Sequence, residues 1–360
     1  MLTYIAHRLL LIIPTLIGIM VVNFAVMQFA PGGPVEQILA ELRGAGVSTS
    51  ERVGGAGDTD GVAGPATIYR GAEDLPPEFI AELEVQFGFD RPPLERFRSM
   101  MWDYATFDFG DSWSRGQSVL SLVADKLPVS ISLGLWSTLI IYLVSIPLGI
   151  AKAVRDGTAF DLWTSAVIFI GYAIPSFIIA IALILVFAGG GPLDAFPLRG
   201  IIGADWQDWP WYRQVASYFW HIALPITALV VGGFAWLTML TKNSFIDQLS
   251  QQYVLTARAK GLTERRVLYG HVFRNAMLIV LAGIPSAFIG ILFTGVLLIE
   301  LIFSLDGLGL LGFEAAVARD YPVVFATLYI SSLIGLGLRL VSDLSYVLVD
   351  PRIHFRGRRA

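Results

Sequence analysis

Six runs without a single charged side chain constrain this chain more than anything else in it: residues 9–35, 127–151, 162–193, 215–241, 275–299 and 321–338. Each supplies about the 20 residues that an α-helix needs to cross the hydrocarbon core of a bilayer. A span made of one segment can satisfy its own backbone in lipid only as a helix. The expected fold class is therefore an all-α polytopic membrane protein with six transmembrane helices. A cleaved leader would have an apolar core of roughly 7–15 residues. The first run exceeds that and no small-residue cleavage site follows it promptly, so it reads as a span.

Lys and Arg set the orientation. Taken together they outnumber the acids in 1–8, 152–161, 242–274 and 343–360, whereas acids dominate 36–126, 189–214 and 300–320. The positive-inside rule then puts both termini in the cytoplasm. Arg339, near the inner end of the sixth run, reads as snorkelling or as paired with Asp343 one turn on. The expected division is an N-terminus with helix 1 (1–35), an extracytoplasmic segment (36–126), a core of helices 2–6 (127–342) containing the cytoplasmic loop 242–274, and a cytoplasmic tail (343–360).

The segment 36–126 exceeds a simple connector. Its Gly-rich stretch 44–71 reads as an excursion with little core of its own. Beyond it, Phe79, Leu83 and Phe87, then Leu94, Phe97, Met101 and Tyr104, recur at helical spacing and predict short amphipathic helices in a small extracytoplasmic cap.

Several function classes find no support. With no cysteine, thiolate chemistry is excluded, and His7, His221, His271 and His354 show no paired ligand spacing. "GLGLLG" at 307–312 fits a dinucleotide pattern but has no βαβ context, so it reads as a tight turn or re-entrant bend. There is no phosphate-binding lysine loop, so this chain does not read as hydrolysing nucleotide by itself. No nucleic-acid-binding pattern occurs either. Prolines at 14, 147, 175, 225 and 285 predict kinks in helices 1–5, which suit a bundle around a pathway. No run carries an unpaired acid at its middle, which disfavours a proton-coupled carrier.

The most charged stretch of the second half is "TARAKGLTERRVLYGHVFRNAM", residues 256–277. Phe245, Leu249, Tyr253 and Ala257 fall at four-residue steps, so helix 4 continues or restarts along the cytoplasmic surface. Gly261 suits the left-handed stop of that helix, Thr263 an N-cap, and Glu264 the first turn of the next helix. Such a short helix between two spans can pass force to a partner, or it can simply touch lipid headgroups.

This stretch resembles the cytoplasmic loop, with its coupling helix, of permease subunits in the peptide branch of ATP-binding-cassette (ABC) importers. Further likenesses are "RLLLIIPTLIGIMVVNFAVMQFAPGGPVEQ", "FGFDRPPLERF", "FGDSWSRGQSVLSLVADKLPVSISLGLWS", "DGLGLLGFEAAVARDYPVV" and "SDLSYVLVDPRI", which together span nearly the whole chain. The likeness is greatest to Yej-type permeases, which take up oligopeptides and the peptide-nucleotide microcin C. Where the wider family favours an acid at the start of the loop motif, this chain has Leu255. It also has "APGGP" for the more frequent "APGDP", and Arg339 for asparagine.

The resemblance implies a type I ABC importer permease in the bacterial inner membrane, without enzymatic activity of its own. It implies a heterodimer with a second permease, cytoplasmic ATPase subunits or one fused double ATPase, and an extracytoplasmic peptide-binding protein. No cofactor is expected on this chain; ATP and magnesium belong to the partner ATPases. The implied coupling residues are Thr256, Ala257, Arg258, Ala259, Lys260 and Gly261, with Arg265 and His271 beside them. Ser132, Tyr142, Tyr172 and Thr294 offer hydroxyls to a wide peptide pathway, or equally to hydrogen bonds between helices. A stand-alone carrier or channel is the competing class and would work without ATPases; an intramembrane enzyme would need a nucleophile or metal constellation that the sequence does not show.

Overall fold

A computed structural model of the chain describes residues 2–29, 91–203, 205–294 and 297–349. The 44–71 excursion, the Phe79, Leu83 and Phe87 pattern and the last eleven residues of the tail lie outside the described residues. What is described is helical. Five helical stretches are long and apolar enough to cross a membrane: Ile5–Val26 within α1 (Leu2–Phe29), α3 (Val119–Val154), α6 (Trp211–Leu249), Glu264–Gly290, and Tyr321–Leu344 within α13 (Tyr321–Val349). The short α2 is Pro93–Ala105.

The third expected span is not one straight rod. It is the pair α4 (Ala159–Ala173) and α5 (Ser176–Phe187), bent by 94°. Six crossings result when that pair is counted as one. Ile174 is extended at φ −89°, ψ 121°, because the ring of Pro175 disfavours the α region for its predecessor, and Pro175 then opens α5. Pro14, Pro147 and Pro225 stay inside continuous helices. The fifth crossing is assembled from α8 (Glu264–Val267), a π-helical turn (Leu268–Val272), α9 (Phe273–Ala282) and α10 (Ile284–Thr294). Pro285 sits in the first turn of α10, where its missing N–H costs little.

The chain divides into two compact units. The larger comprises 1–9, 126–310 and 333–360. Its core gathers around α6, whose Ile222, Leu224, Ile226, Ala228, Val230 and Leu237 are buried, with α4, α5 and α9 packed on it. Gly149 of α3 permits a close approach: a Cβ there would lie 2.6 Å from Thr241 Cβ of α6. Arg8 reaches Asp343 at 2.9 Å, which puts the start of α1 beside the end of α13 and corrects the expected Arg339 pairing.

"GLGLLG", expected as a tight turn or re-entrant bend, leads from the turn before it straight into a helix. α11 (Leu297–Ile302) carries Glu300, fully buried, and α12 (Leu308–Val317) begins inside the motif. Glu300 accepts the Leu310 N–H at 2.7 Å and the Ser130 hydroxyl at 2.8 Å, and Ser130 in turn accepts the Leu308 N–H. A carboxylate thus caps the orphan donors of a helix N-terminus. Burial pushes the Glu300 carboxyl above its ordinary range while these donors pull the other way. Gly307 is required because any side chain there would collide with this carboxylate.

The smaller unit comprises 10–125 and 311–332. Tyr104 of α2 meets Phe109 and Tyr329 edge-on at 4.9 and 5.4 Å, and Phe97 meets Phe24 at 5.3 Å. The amphipathic reading of α2 is right for Phe97 and Tyr104, whereas Leu94 is 78% exposed. Asp320, buried just before α13, accepts hydrogen bonds from the hydroxyls of Ser112 and Ser114 at 2.5 and 2.7 Å and from the Ser114 N–H at 3.1 Å. Arg115 pairs with Glu314 at 2.5 Å.

Candidate functional site

The loop between the fourth and fifth crossings is built from its caps. α6 stops at Leu249, Ser250 caps it, and Gln251 turns extended at φ −76°, ψ 149°. α7 (Gln252–Ala259) then runs for two turns. It ends in a Schellman motif: Gly261 adopts φ +79°, its N–H bonds Arg258 O at 2.9 Å, and the Leu262 N–H bonds Ala257 O at 3.3 Å. Thr263 is extended and caps α8 through its main-chain carbonyl, which accepts from Arg266 and Val267; its hydroxyl makes no capping bond. Ser244 Oγ donates to Ala276 O at 2.7 Å, fastening α6 to α9 on either side of the loop.

The expected coupling residues divide by face. Val254 and Ala257 are buried, 0% and 6% exposed, in the same core as Phe245, Val267 and Val272. Ala257 therefore packs inside its own chain rather than on an outer surface. Thr256, Arg258, Ala259, Lys260, Gly261, Arg265 and His271 are exposed, and Leu255 joins them at 60%. Arg258 makes a two-pronged pair with Glu264, at 2.9 and 3.0 Å, that closes the loop on itself. The Thr256 hydroxyl returns to Gln252 O at 3.0 Å within α7. His271 lies in the π-helical turn that leads into α9.

The hydroxyls named for a pathway have different surroundings where they are described. Ser132 bonds the Tyr218 hydroxyl, which also accepts from Trp136 Nε1 at 2.9 Å, so it ties α3 to α6. Tyr142 is buried and Tyr172 is 62% exposed. The Thr294 side chain lies outside the described residues. Among the described residues no group of acids and histidines is placed to hold a metal ion.

Sequence reasoning missed a charge cluster. Lys152, in the last turn of α3 and fully buried, reaches Asp161 Oδ1 at 2.9 Å, Asp161 O at 2.7 Å, Thr164 Oγ1 at 2.9 Å and Ser165 Oγ at 2.6 Å, all on α4. Lys242 of α6 reaches Asp161 Oδ2 at 2.7 Å and Asp156 Oδ1 at 2.8 Å. The Gly157 N–H completes the set by donating to Asp161 Oδ2. The signal was present: two lysines end apolar runs, with an aspartate opening the next helix.

Residues 145–355 match the family described as the inner membrane component of binding-protein-dependent transport systems. The chain belongs to that family. Over 99% of its own length and 99% of theirs, it is 59% identical to the peptidoglycan transport system permease protein YejB of Agrobacterium fabrum strain C58 and 58% identical to the inner membrane ABC transporter permease protein YejB of Escherichia coli O157:H7. It is 32% identical to the oligopeptide transport system permease protein AppB of Bacillus subtilis strain 168, over 99% of this chain and all of that one. The protein is thus a multi-pass inner-membrane permease of an ABC importer, not an enzyme. Membership implies that ATP is used on partner ATPase subunits and that a binding protein delivers the substrate.

Proposed function

We propose that this chain is one of two unlike permease subunits of an importer for oligopeptides and peptide-like compounds, microcin C-like conjugates included. In this reading an extracytoplasmic peptide-binding protein delivers the substrate, and two ATPase subunits or one fused double ATPase drive its passage. The substrate class rests on the relatives, named for peptidoglycan and oligopeptide transport. The observation that carries the coupling is α7, two turns long and capped at both ends, with a buried Val254–Ala257 face and an opposite face of Leu255, Thr256, Arg258, Ala259 and Lys260 open to a partner. ATP-driven closure of the ATPases would move α7, and α6 and the α8–α9 arm would relay that motion to the gate. Both termini lie in the cytoplasm on this reading, in keeping with the Arg8–Asp343 pair. Ser132, Tyr142, Tyr172 and Thr294 remain candidates for the pathway in some state of the cycle.

A stand-alone carrier is the weaker reading. The buried acids Asp161, Glu300 and Asp320 are each engaged by donors, which leaves them poor proton carriers. The deciding experiment is purification from native membranes followed by reconstitution. Associated ATPases, and uptake of labelled peptides that needs ATP and the binding protein, are expected. Uptake by the lone chain would refute the proposal. Reporters at Gly203 and Gly261 should fall on opposite sides of the membrane.

A further inference from the structure

We propose that Lys152, Asp161 and Lys242 form a buried clasp that makes the α3–α4 hairpin and the α6–α7 arm move as one body during transport. The proposal rests on α7 being the coupling helix and adds positioning residues to that reading. One carboxylate holds two ammonium groups from two different helices. Asp161 takes Lys152 of α3 on Oδ1 at 2.9 Å and Lys242 of α6 on Oδ2 at 2.7 Å. The side chains of Lys152 and Asp161 are 0% and 6% exposed, so the pairing is screened far less than a surface pair. Asp156, in the α3–α4 turn, takes Lys242 as well, so this turn grips α6 at two points.

Packing beside the clasp has the same consequence. Gly149, three residues before Lys152, lets α3 touch α6 at Thr241, the residue before Lys242. A buried three-helix ion cluster next to a near-backbone contact resists sliding and hinging there. Lys242 lies on the helix that ends at Leu249, and α7 begins at Gln252. A displacement of α7 therefore reaches α3 and α4 through this point. Replacing a buried ion pair with well-packed apolar groups is often neutral or stabilising, so stability alone does not account for it.

The test uses the complete complex of both permeases, ATPases and binding protein in liposomes. Lys242→Met keeps an apolar stem of similar length and leaves Asp161 paired with Lys152, so assembly and basal ATP hydrolysis should persist. Peptide uptake per ATP hydrolysed should fall about fivefold, within the range by which positions along a coupling route alter coupling. Lys242→Arg should restore it. A second readout uses the absence of native cysteine in this chain: spin labels at Ala159→Cys and Gln252→Cys report the distance from the start of α4 to α7. That distance should hold constant on ATP binding in the otherwise wild-type chain and change in Lys242→Met. Should Lys242→Met not reach the membrane, Lys242→Gln, which also removes the cation while leaving Asp161 paired with Lys152, is read in the same two ways. Failure of the ATPases to co-purify with the wild type would overturn the coupling reading. Normal co-purification with wild-type uptake per ATP in the variant, or with reduced uptake but an unchanged label distance, would overturn the clasp alone.

Discussion

Leu255 and Ala257 lie two residues apart but are opposites in burial, and that contrast gives the sharpest test of the coupling helix. Leu255 is 60% exposed, so Leu255→Ala should alter the stability of the isolated chain by no more than about 0.5 kcal/mol. Full burial of a leucine side chain contributes about 1.5–3 kcal/mol. If an ATPase groove covers the exposed three-fifths, the variant should lose about 1–2 kcal/mol of docking, or roughly a 5- to 30-fold fall in affinity. Titrating labelled ATPase onto the permease pair in nanodiscs measures this directly. Ala257→Glu is the internal contrast. At 6% exposure its charge would enter the chain's own core, so α7 should lose hydrogen-exchange protection before any partner arrives. Wild-type ATPase affinity in Leu255→Ala, with vesicle binding weakened instead, would show that this face meets lipid and would refute the docking argument.

Three other perturbations follow from the caps. Gly261→Val places a β-branched residue at φ +79°, costing about 1–2 kcal/mol, and should reduce both ATPase co-purification and peptide uptake while leaving membrane insertion intact. Gly307→Ala drives a methyl group into the buried Glu300 carboxylate and should destabilise the purified chain by about 1–3 kcal/mol, read as a lower Tm; Gly312→Ala, whose Cβ would lie 3.7 Å from Thr327 Oγ1, should be near neutral. Asp320→Ala strands the buried Ser112 hydroxyl, at about 1–3 kcal/mol, and removes the partner of the exposed Ser114 hydroxyl and N–H. It should open the 106–118 segment to limited proteolysis.

Hydrocarbon made the membrane helices legible, and charge blurred their ends. A rule that stops a span at its first charge ends the second run between Lys126 and Lys152, yet α3 begins at Val119 and includes both. Each lysine finds an acid, Lys126 pairing with Asp306 and Lys152 with Asp161, and a paired charge no longer stops a helix. Pro175 announced a kink, but the same reading applied to Pro14, Pro147 and Pro225, which stay inside helices. What separates Pro175 is that the chain turns by 94° there, and no local pattern encodes that. The turn at Gly261 was legible because its cause is local: one residue must adopt positive φ, and glycine does so at the least cost. The face that α7 presents was not, because Ala257 is as inconspicuous in the sequence as Ala259, and only the packing of Phe245, Val267 and Val272 separates buried from exposed.

The clusters the sequence hid share one construction, in which a buried carboxylate joins elements far apart in the chain. Glu300 holds Ser130 and the start of α12, Asp320 holds the 112–114 turn, and Asp161 holds Lys152 and Lys242. Read linearly, each looks like an ordinary polar residue at the edge of an apolar run, and counting charges by side treats all three as loop acids. Desolvating a carboxylate costs several kcal/mol unless donors meet it, so each such acid must recruit partners wherever the fold brings them. Two of the three recruit backbone or hydroxyl donors and so fix local geometry: a helix start at Glu300 and a turn at Asp320. Asp161 differs because its main partners are two cations on separate spanning helices. Of the three buried acids, it is the one whose loss would leave like charges facing each other between moving elements, which is why a role in relaying motion falls to it rather than to the other two.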